Sequence, residues 1–146
     1  MERFIKRIGD KVDIIVREYK RDDFISVNHI LQEAFSVSKK EFDSSSFHEV
    51  VLEYQGRVSG YLLLTKVYDP IKDLYYHLVD YVCVDKKYQN MGFGKLLMNY
   101  AIELSKKEEI SYMQLTCRKS RIAAHKLYEG CGFLRRDSDI YRKELL

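Results

Sequence analysis

Gln89, Gly92 and Gly94 stand at a spacing that can bind an anion. They follow the valine-rich run Val79-Asp80-Tyr81-Val82-Cys83-Val84 and precede Leu97, Tyr100, Ala101 and Leu104, which recur at i, i+3, i+4, i+7. This pattern predicts a buried strand, a tight polar turn and a helix. The first turn of a helix carries unbonded N–H groups and a partial positive charge. Glycine lets a ligand approach that backbone closely, so a pyrophosphate is a natural occupant. Two familiar phosphate loops do not fit. Gly94-Lys95 is followed by Leu96 rather than serine or threonine, and Gln89 stands where a P-loop needs its first glycine. The dinucleotide fingerprint needs a third glycine where Leu97 stands. Read alone, Gln89-x-x-Gly92-x-Gly94 is also compatible with a plain flexible turn before a helix.

The elements that must position this turn can be read along the chain. Met1 to Lys11 is a charged lead-in with Phe4, Ile5 and Ile8 as its apolar anchors, read as a short helix or a frayed end. Val12 to Tyr19 predicts the first strand, with Val12, Ile14 and Val16 on one face. Asp22 and Asp23 suit a helix start, and Val27, Ile30, Leu31 and Ala34 form its stripe. Ser36 to His48, with its Ser44-Ser45-Ser46 run, reads as a loop with room for a short helix. Val50–Tyr54 and Val58–Tyr68 predict a hairpin around Gln55-Gly56-Arg57, and Leu74–Val84 adds a third long strand after Asp69-Pro70. After the helix from Gly94 to about Lys107 come a strand at Tyr112–Cys117 and a helix through Ala124, Leu127, Tyr128 and Cys131. Phe133–Leu145 is expected to be a final hairpin or edge strand, through which a homodimer is one open arrangement. The expected fold is α/β (an α+β mixed sheet): mostly antiparallel, helices on both faces, and a parallel pair around the glycine turn.

Composition narrows the function classes. The 146 residues suit a single domain, 1–146, that buries roughly 68–70% of its unfolded surface. A net charge of +3 with interspersed signs suits an anionic ligand but is no footprint of a nucleic-acid binder. The apolar runs are far too short to span a membrane, and Arg3, Lys6 and Arg7 argue against a signal peptide. Cys83, Cys117 and Cys131 make neither a disulfide framework nor a Cys-x-x-Cys pair, and a reducing cytoplasm is expected. His29, His48, His77 and His125 show no metal-ligand spacing, so no metal is expected.

Gln89-x-x-Gly92-x-Gly94 resembles the acyl-CoA signature of the GNAT acetyltransferase superfamily, Gln/Arg-x-x-Gly-x-Gly/Ala. Ala124-x-x-Leu127-Tyr128, with Gly132-Phe133 after it, resembles the superfamily's C-terminal signature and follows in the right order. The resemblance spans roughly residues 12 to 145, most strongly 79–133. It implies that the backbone of Val82, Cys83 and Val84 meets the pantetheine arm of acetyl-CoA. It implies equally that Gln89, Asn90, Met91, Gly92, Phe93, Gly94 and Lys95 hold the pyrophosphate. Two positions depart from the pattern. Arg121 replaces an asparagine that often holds the pantetheine, and is read as a phosphate contact or a solvated arginine. Asn90 replaces a common arginine or glycine, which leaves the backbone amides intact. The Ala-His-Lys-Leu-Tyr variant resembles small microbial members, some of which acetylate aminoalkylphosphonates and others aminoglycosides or similar amines.

The implied reaction is attack of an amine on the thioester. An alkyl amine has a pKa of about 10.4, so a base must take its proton. Asp80 is the candidate, placed by alternation on one face with Val82 and Val84, an apolar setting that raises its pKa. An exposed or lysine-paired strand aspartate is the plain alternative, and Glu49 and Glu53 are weaker bases. A backbone N–H freed where the strand bulges near Val82 or Cys83 can polarise the carbonyl. Tyr128 is the candidate acid toward the leaving thiolate, with a core tyrosine as the alternative. The expected function is N-acetyl transfer from acetyl-CoA to a primary amine of a small molecule, in a ternary complex. A non-catalytic acyl-CoA-binding regulatory domain and a protein lysine or N-terminal acetyltransferase are the rivals.

Overall fold

A computed structural model describes the backbone of residues 3–8, 11–43 and 45–146 and the side chains of 13–43 and 45–146. The chain divides into two compact units, Met1–Thr116 and Cys117–Leu146. The expected apolar anchors Phe4, Ile5 and Ile8, the face of Val12 and the placement of Ser44 lie outside the described residues.

The first unit is a six-stranded sheet in sequence order, β1 (Arg3–Ile8), β2 (Lys11–Glu18), β3 (Phe47–Tyr54), β4 (Arg57–Asp69), β5 (Leu74–Val84) and β6 (Tyr112–Leu115). The first five strands are antiparallel, and β5 and β6 are parallel, as the strand–helix–strand connection requires. β3 and β4 are joined by Gln55 (φ 50°) and Gly56 (φ 78°), a two-residue turn whose left-handed backbone matches strand twist. The β4–β5 turn is held by Asp69 Oδ1, which accepts from the amides of Ile71 (3.0 Å) and Lys72 (3.1 Å).

Helix α1 (Phe24–Phe35) covers one sheet face with Val27, Ile30 and Leu31, which pack against Val51, Tyr61 and Cys83. Helix α2 (Phe93–Lys107) covers the other with Leu97, Met98, Tyr100, Ala101 and Leu104. The expected mixed sheet with helices on both faces is therefore present. The approach of α2 is closest at Gly60. A Cβ there would stand 2.9 Å from Leu97 Cδ1, 3.4 Å from Leu52 Cβ and 3.5 Å from the Cys83 carbonyl oxygen. Gly60→Val is expected to cost about 1–3 kcal/mol in urea unfolding. Gly60→Ala costs less, because the Leu97 methyl can swing away; equal stability of the valine variant and the wild type would refute the close contact.

Three expectations are corrected. The lead-in forms strand β1 rather than a helix or frayed end, because β2 offers it a paired edge. No helix occurs in the described part of the Ser36–His48 loop, and β3 already begins at Phe47. The second unit holds α3 (Ile122–Gly130) and then no strand at Phe133–Leu145, where the charged residues Arg135, Arg136, Asp137 and Asp139 break any apolar alternation. The strand edge that left a dimer as one open arrangement is thus not formed.

Candidate active site

The glycine turn is built from the end of β5 upward. Asp85 donates its backbone N–H to the Ser59 carbonyl (2.8 Å), and its carboxylate accepts from the Lys87 amide (3.0 Å). Gln89 reaches back toward the Val84 carbonyl at 3.5 Å. Asn90 (φ 66°) and Gly92 (φ 80°) then turn the backbone through the left-handed region into α2. A Cβ on Gly92 would meet nothing within 4 Å, so its glycine serves backbone conformation rather than space. Phe93 is buried and anchors the turn against Tyr54 (5.2 Å) and Tyr88 (6.1 Å) between ring centroids. Met91 and Lys95 are exposed. The first α2 amides point from this anchored turn with no carbonyl one turn earlier to accept them.

Beside the turn, β5 is irregular. Tyr61 pairs with Cys83 and Leu63 with Asp80, so Tyr81 and Val82 together oppose the single residue Leu62. Tyr81 takes the extra position with φ 55°, unusual for a large side chain, and its ring meets Phe35 edge-on at 5.4 Å. A bulge of this kind leaves ladder hydrogen-bonding groups unpaired. The expected splay near Val82 and Cys83 is present as a β-bulge.

The bulge also overturns the expected face of Asp80. Strict alternation placed it with Val82 and Val84. The inserted residue shifts the phase, so Asp80 shares a face with Cys83, toward α1, while Val84 pairs with Gly60 toward α2. Asp80 is exposed, yet the protein atoms around it remove enough water to push its carboxyl above the usual range. The direction expected for its pKa holds, for a different neighbourhood.

The weaker base candidates are engaged elsewhere. Glu53 accepts from Arg17 Nε at 3.3 Å. Glu49 accepts from the Tyr61 hydroxyl at 2.8 Å and pairs with Lys39 Nζ at 3.3 Å. Burial beside Glu49 raises the Tyr61 phenol, which stays protonated. A cavity of about 280 Å³ opens at the end of the sheet. It is lined by Glu18, Tyr19 and Arg21 from the β2 end and by Glu41, Phe42, Phe47, His48 and Glu49 from the loop and β3. No β5 residue lines it.

Asp80, Val82–Val84 and Gln89–Lys95 all belong to the first unit. Arg121 and Tyr128 belong to the second. Arg121 is the exposed N-cap residue of α3 and its carbonyl accepts from the His125 amide at 3.1 Å. Tyr128 is buried, 6.2 Å from Phe133 between ring centroids, and its carbonyl accepts from the Phe133 amide at 3.0 Å.

The acetyltransferase (GNAT) family matches residues 12–133, a stretch that includes both signatures. The chain belongs to the GNAT acetyltransferase family. This acetyltransferase is 28% identical over 116 residues to the ribosomal protein bS18-alanine N-acetyltransferase of Escherichia coli K12, covering 76% of this chain and 74% of that one. Its fold is that of a ribosomal-protein-alanine N-acetyltransferase from Brucella melitensis (TM-score 0.77, 16% identity, covering 91% and 99% of the two chains). It is also that of an aminoglycoside acetyltransferase from an uncultured soil metagenomic sample (TM-score 0.77, 14% identity, covering 91% and 96%). The protein is accordingly an acyltransferase, and the purely regulatory alternative falls away. No described helix is long and apolar enough to cross a membrane.

Sequence reasoning missed one cluster. His48, His77 and Glu108 lie 29 and 31 residues apart in the chain, yet their side chains converge at the far end of α2. Neither separation is a local metal-binding pattern, so no signal short of strand register could have found them.

Proposed function

We propose that this chain, as one acetyltransferase domain, moves an acetyl group from acetyl-CoA to a primary amine by direct attack in a ternary complex. The β-bulge at Tyr81–Val82, directly ahead of the Gln89–Lys95 turn, carries the reading. In this reading the backbone of Val82, Cys83 and Val84 meets the pantetheine, and a bulge N–H polarises the thioester carbonyl. The amides of the Gln89–Lys95 turn hold the pyrophosphate, with Arg121 as a further phosphate contact. Asp80 takes the proton of the attacking amine, directly or through one water.

Tyr128 is the donor toward the departing thiolate. A phenol has a reference pKa of about 10 and a thiol about 8.5, so full transfer is uphill by roughly 2 kcal/mol. A hydrogen bond that strengthens as charge develops is sufficient; about 1.4 kcal/mol gained that way is tenfold in rate. Support for the role is the position of Tyr128 in the C-terminal signature.

The acceptor is a small-molecule amine in the first reading. The polar cavity near the sheet end, whose lining sets Glu18, Glu41 and Glu49 against Arg21, suits a cationic compound of modest size. The second reading is the α-amine of a protein chain, favoured by the bS18-alanine acetyltransferase relative. The test is acetyl-CoA binding by calorimetry, then CoA release against small amines and an alanine-led peptide, with Tyr128→Phe alongside. The expected result is micromolar binding and amine-dependent turnover that drops about tenfold in the variant. Absence of acetyl-CoA binding would overturn the reading, and turnover of the peptide alone would select the second acceptor class.

A further inference from the structure

His77 is fully buried on β5, and its Nε2 has no hydrogen-bond partner. The network around it fixes the tautomer. Ser105 Oγ donates its proton to the Ala101 carbonyl at 2.8 Å, so at 2.7 Å from His77 Nδ1 it must accept. Nδ1 therefore carries the ring proton and Nε2 presents a lone pair. That lone pair faces Glu108 Oε2 at 3.6 Å, one acceptor against another. The same carboxylate reaches His48 Nε2 through Oε1 at 2.5 Å, and His48 Nδ1 meets Glu18 Oε1 at 2.9 Å. Two imidazole nitrogens and a carboxylate thus converge on one point, each ring held from behind by a second group.

We propose that His48 Nε2, His77 Nε2 and the Glu108 carboxylate form a zinc site that fastens the C-terminal end of α2 to strands β3 and β5. The donor set is one zinc accepts, and Glu18 and Ser105 supply the outer hydrogen bonds that orient zinc-bound histidines. The scaffold is suitable. Leu64 pairs with both His48 and Val79, and His77 lies two residues before Val79, so both histidines share the face against α2. The ligand atoms lie within 4.8 Å of one another. Zinc–nitrogen bonds of about 2.0–2.1 Å in a tetrahedron set neighbours roughly 3.3 Å apart. The closure falls to His48 and Glu108, whose side chains are 25% and 27% exposed and can rotate; the same exposure leaves a fourth position to water. The negative end of the α2 dipole and the Glu18 carboxylate favour a cation there, against Lys66 as a neighbouring positive group. Protonating His77 instead would place a charge on a ring with no exposed surface.

α2 has 15 residues, about 22 Å of helix, so the cluster lies a helix length from the Gly92 turn and its role is to hold structure. The proposal does not rest on the acetyl-CoA reading, although His48 and Glu18 also border the cavity proposed for the acceptor. It is tested on untagged, chelator-treated protein by titrating zinc chloride against a chromophoric chelator, with cobalt(II) as a spectroscopic substitute. The expected results are one equivalent of zinc bound, visible d–d absorption typical of four-coordinate cobalt, and a Tm raised by about 5 °C. His48→Ala and Glu108→Gln, both at partly exposed positions, should weaken zinc at least 100-fold while circular dichroism stays unchanged. His29→Ala and His125→Ala should bind as the wild type does. Wild-type protein without saturable one-to-one uptake would overturn the site, as would His48→Ala and Glu108→Gln variants with wild-type affinity. Calorimetry with acetyl-CoA on the same samples separates this outcome from failure of the acetyltransferase reading.

Discussion

Asp80→Asn is expected to lower kcat/KM for the amine by about 100-fold or more, with acetyl-CoA affinity within twofold of the wild type. The asparagine keeps the shape of the side chain on the bulged strand but cannot take a proton. The aspartate sits on the α1 face opposite Leu63, one residue from the inserted Tyr81, where partial desolvation already holds its carboxyl above the ordinary range. That shift has a definite sign in the pH profile. The base works only when ionised, so kcat/KM should fall on the acid side as Asp80 is protonated. Its midpoint should lie above the usual aspartate value of about 3.9. The variant should lack this limb. Measuring CoA release across pH for both proteins decides the matter. A variant with wild-type rates and the same acid limb would remove Asp80 from the chemistry and return the role to water.

The residues that made the glycine turn legible are those whose effect is local. Gly92 is read correctly because a left-handed residue before a helix favours glycine, and the stripe from Leu97 to Leu104 fixes the helix behind it. Leu74–Val84 is read to its end residues because its apolar run is bounded by Pro70 and by Asp85-Lys86-Lys87. The bulge within it carries no such mark. Tyr81 adopts a positive φ without being glycine, asparagine or aspartate, so nothing in its type announces the phase shift. One extra residue moves every following side chain to the other face, which is why strict alternation misplaces the neighbours of Asp80 within a correctly bounded strand. Strand β1 was hidden for another reason. Arg3, Lys6 and Arg7 mask a strand whose stability comes from pairing with β2 rather than from its own pattern. The histidine cluster depends on register across three strands and on where α2 ends, neither of which spacing in the chain encodes.

Asp23→Ala is expected to cost about 3 kcal/mol in urea unfolding, the largest stability effect among the substitutions considered. Asp23 is 6% exposed and meets Arg17 through two parallel bonds, Nη1 to Oδ2 at 2.8 Å and Nη2 to Oδ1 at 2.9 Å. It also accepts from the Lys20 amide at 2.8 Å, closing the turn that leads into α1. Removing it strands a guanidinium whose side chain is 12% exposed, with Glu53 at 3.3 Å as its remaining carboxylate. The penalty is that of a buried charge stripped of its two-bond partner rather than the worth of the pair, so Arg17→Met combined with Asp23→Ala should be less damaging than Asp23→Ala alone. The ion pair also sets an acid limit. Burial pushes the Asp23 carboxyl up, but the bonds from Arg17 and the Lys20 amide outweigh this and hold it below its ordinary range. Its contribution is full above the unfolded value of about 3.9 and is lost as pH falls from there through the lower folded value. Stability measured between pH 7 and pH 2 should therefore decline less steeply in the Asp23→Ala variant. An equally steep decline would assign the acid sensitivity to other carboxylates and reduce Asp23 to a cap for the turn before α1.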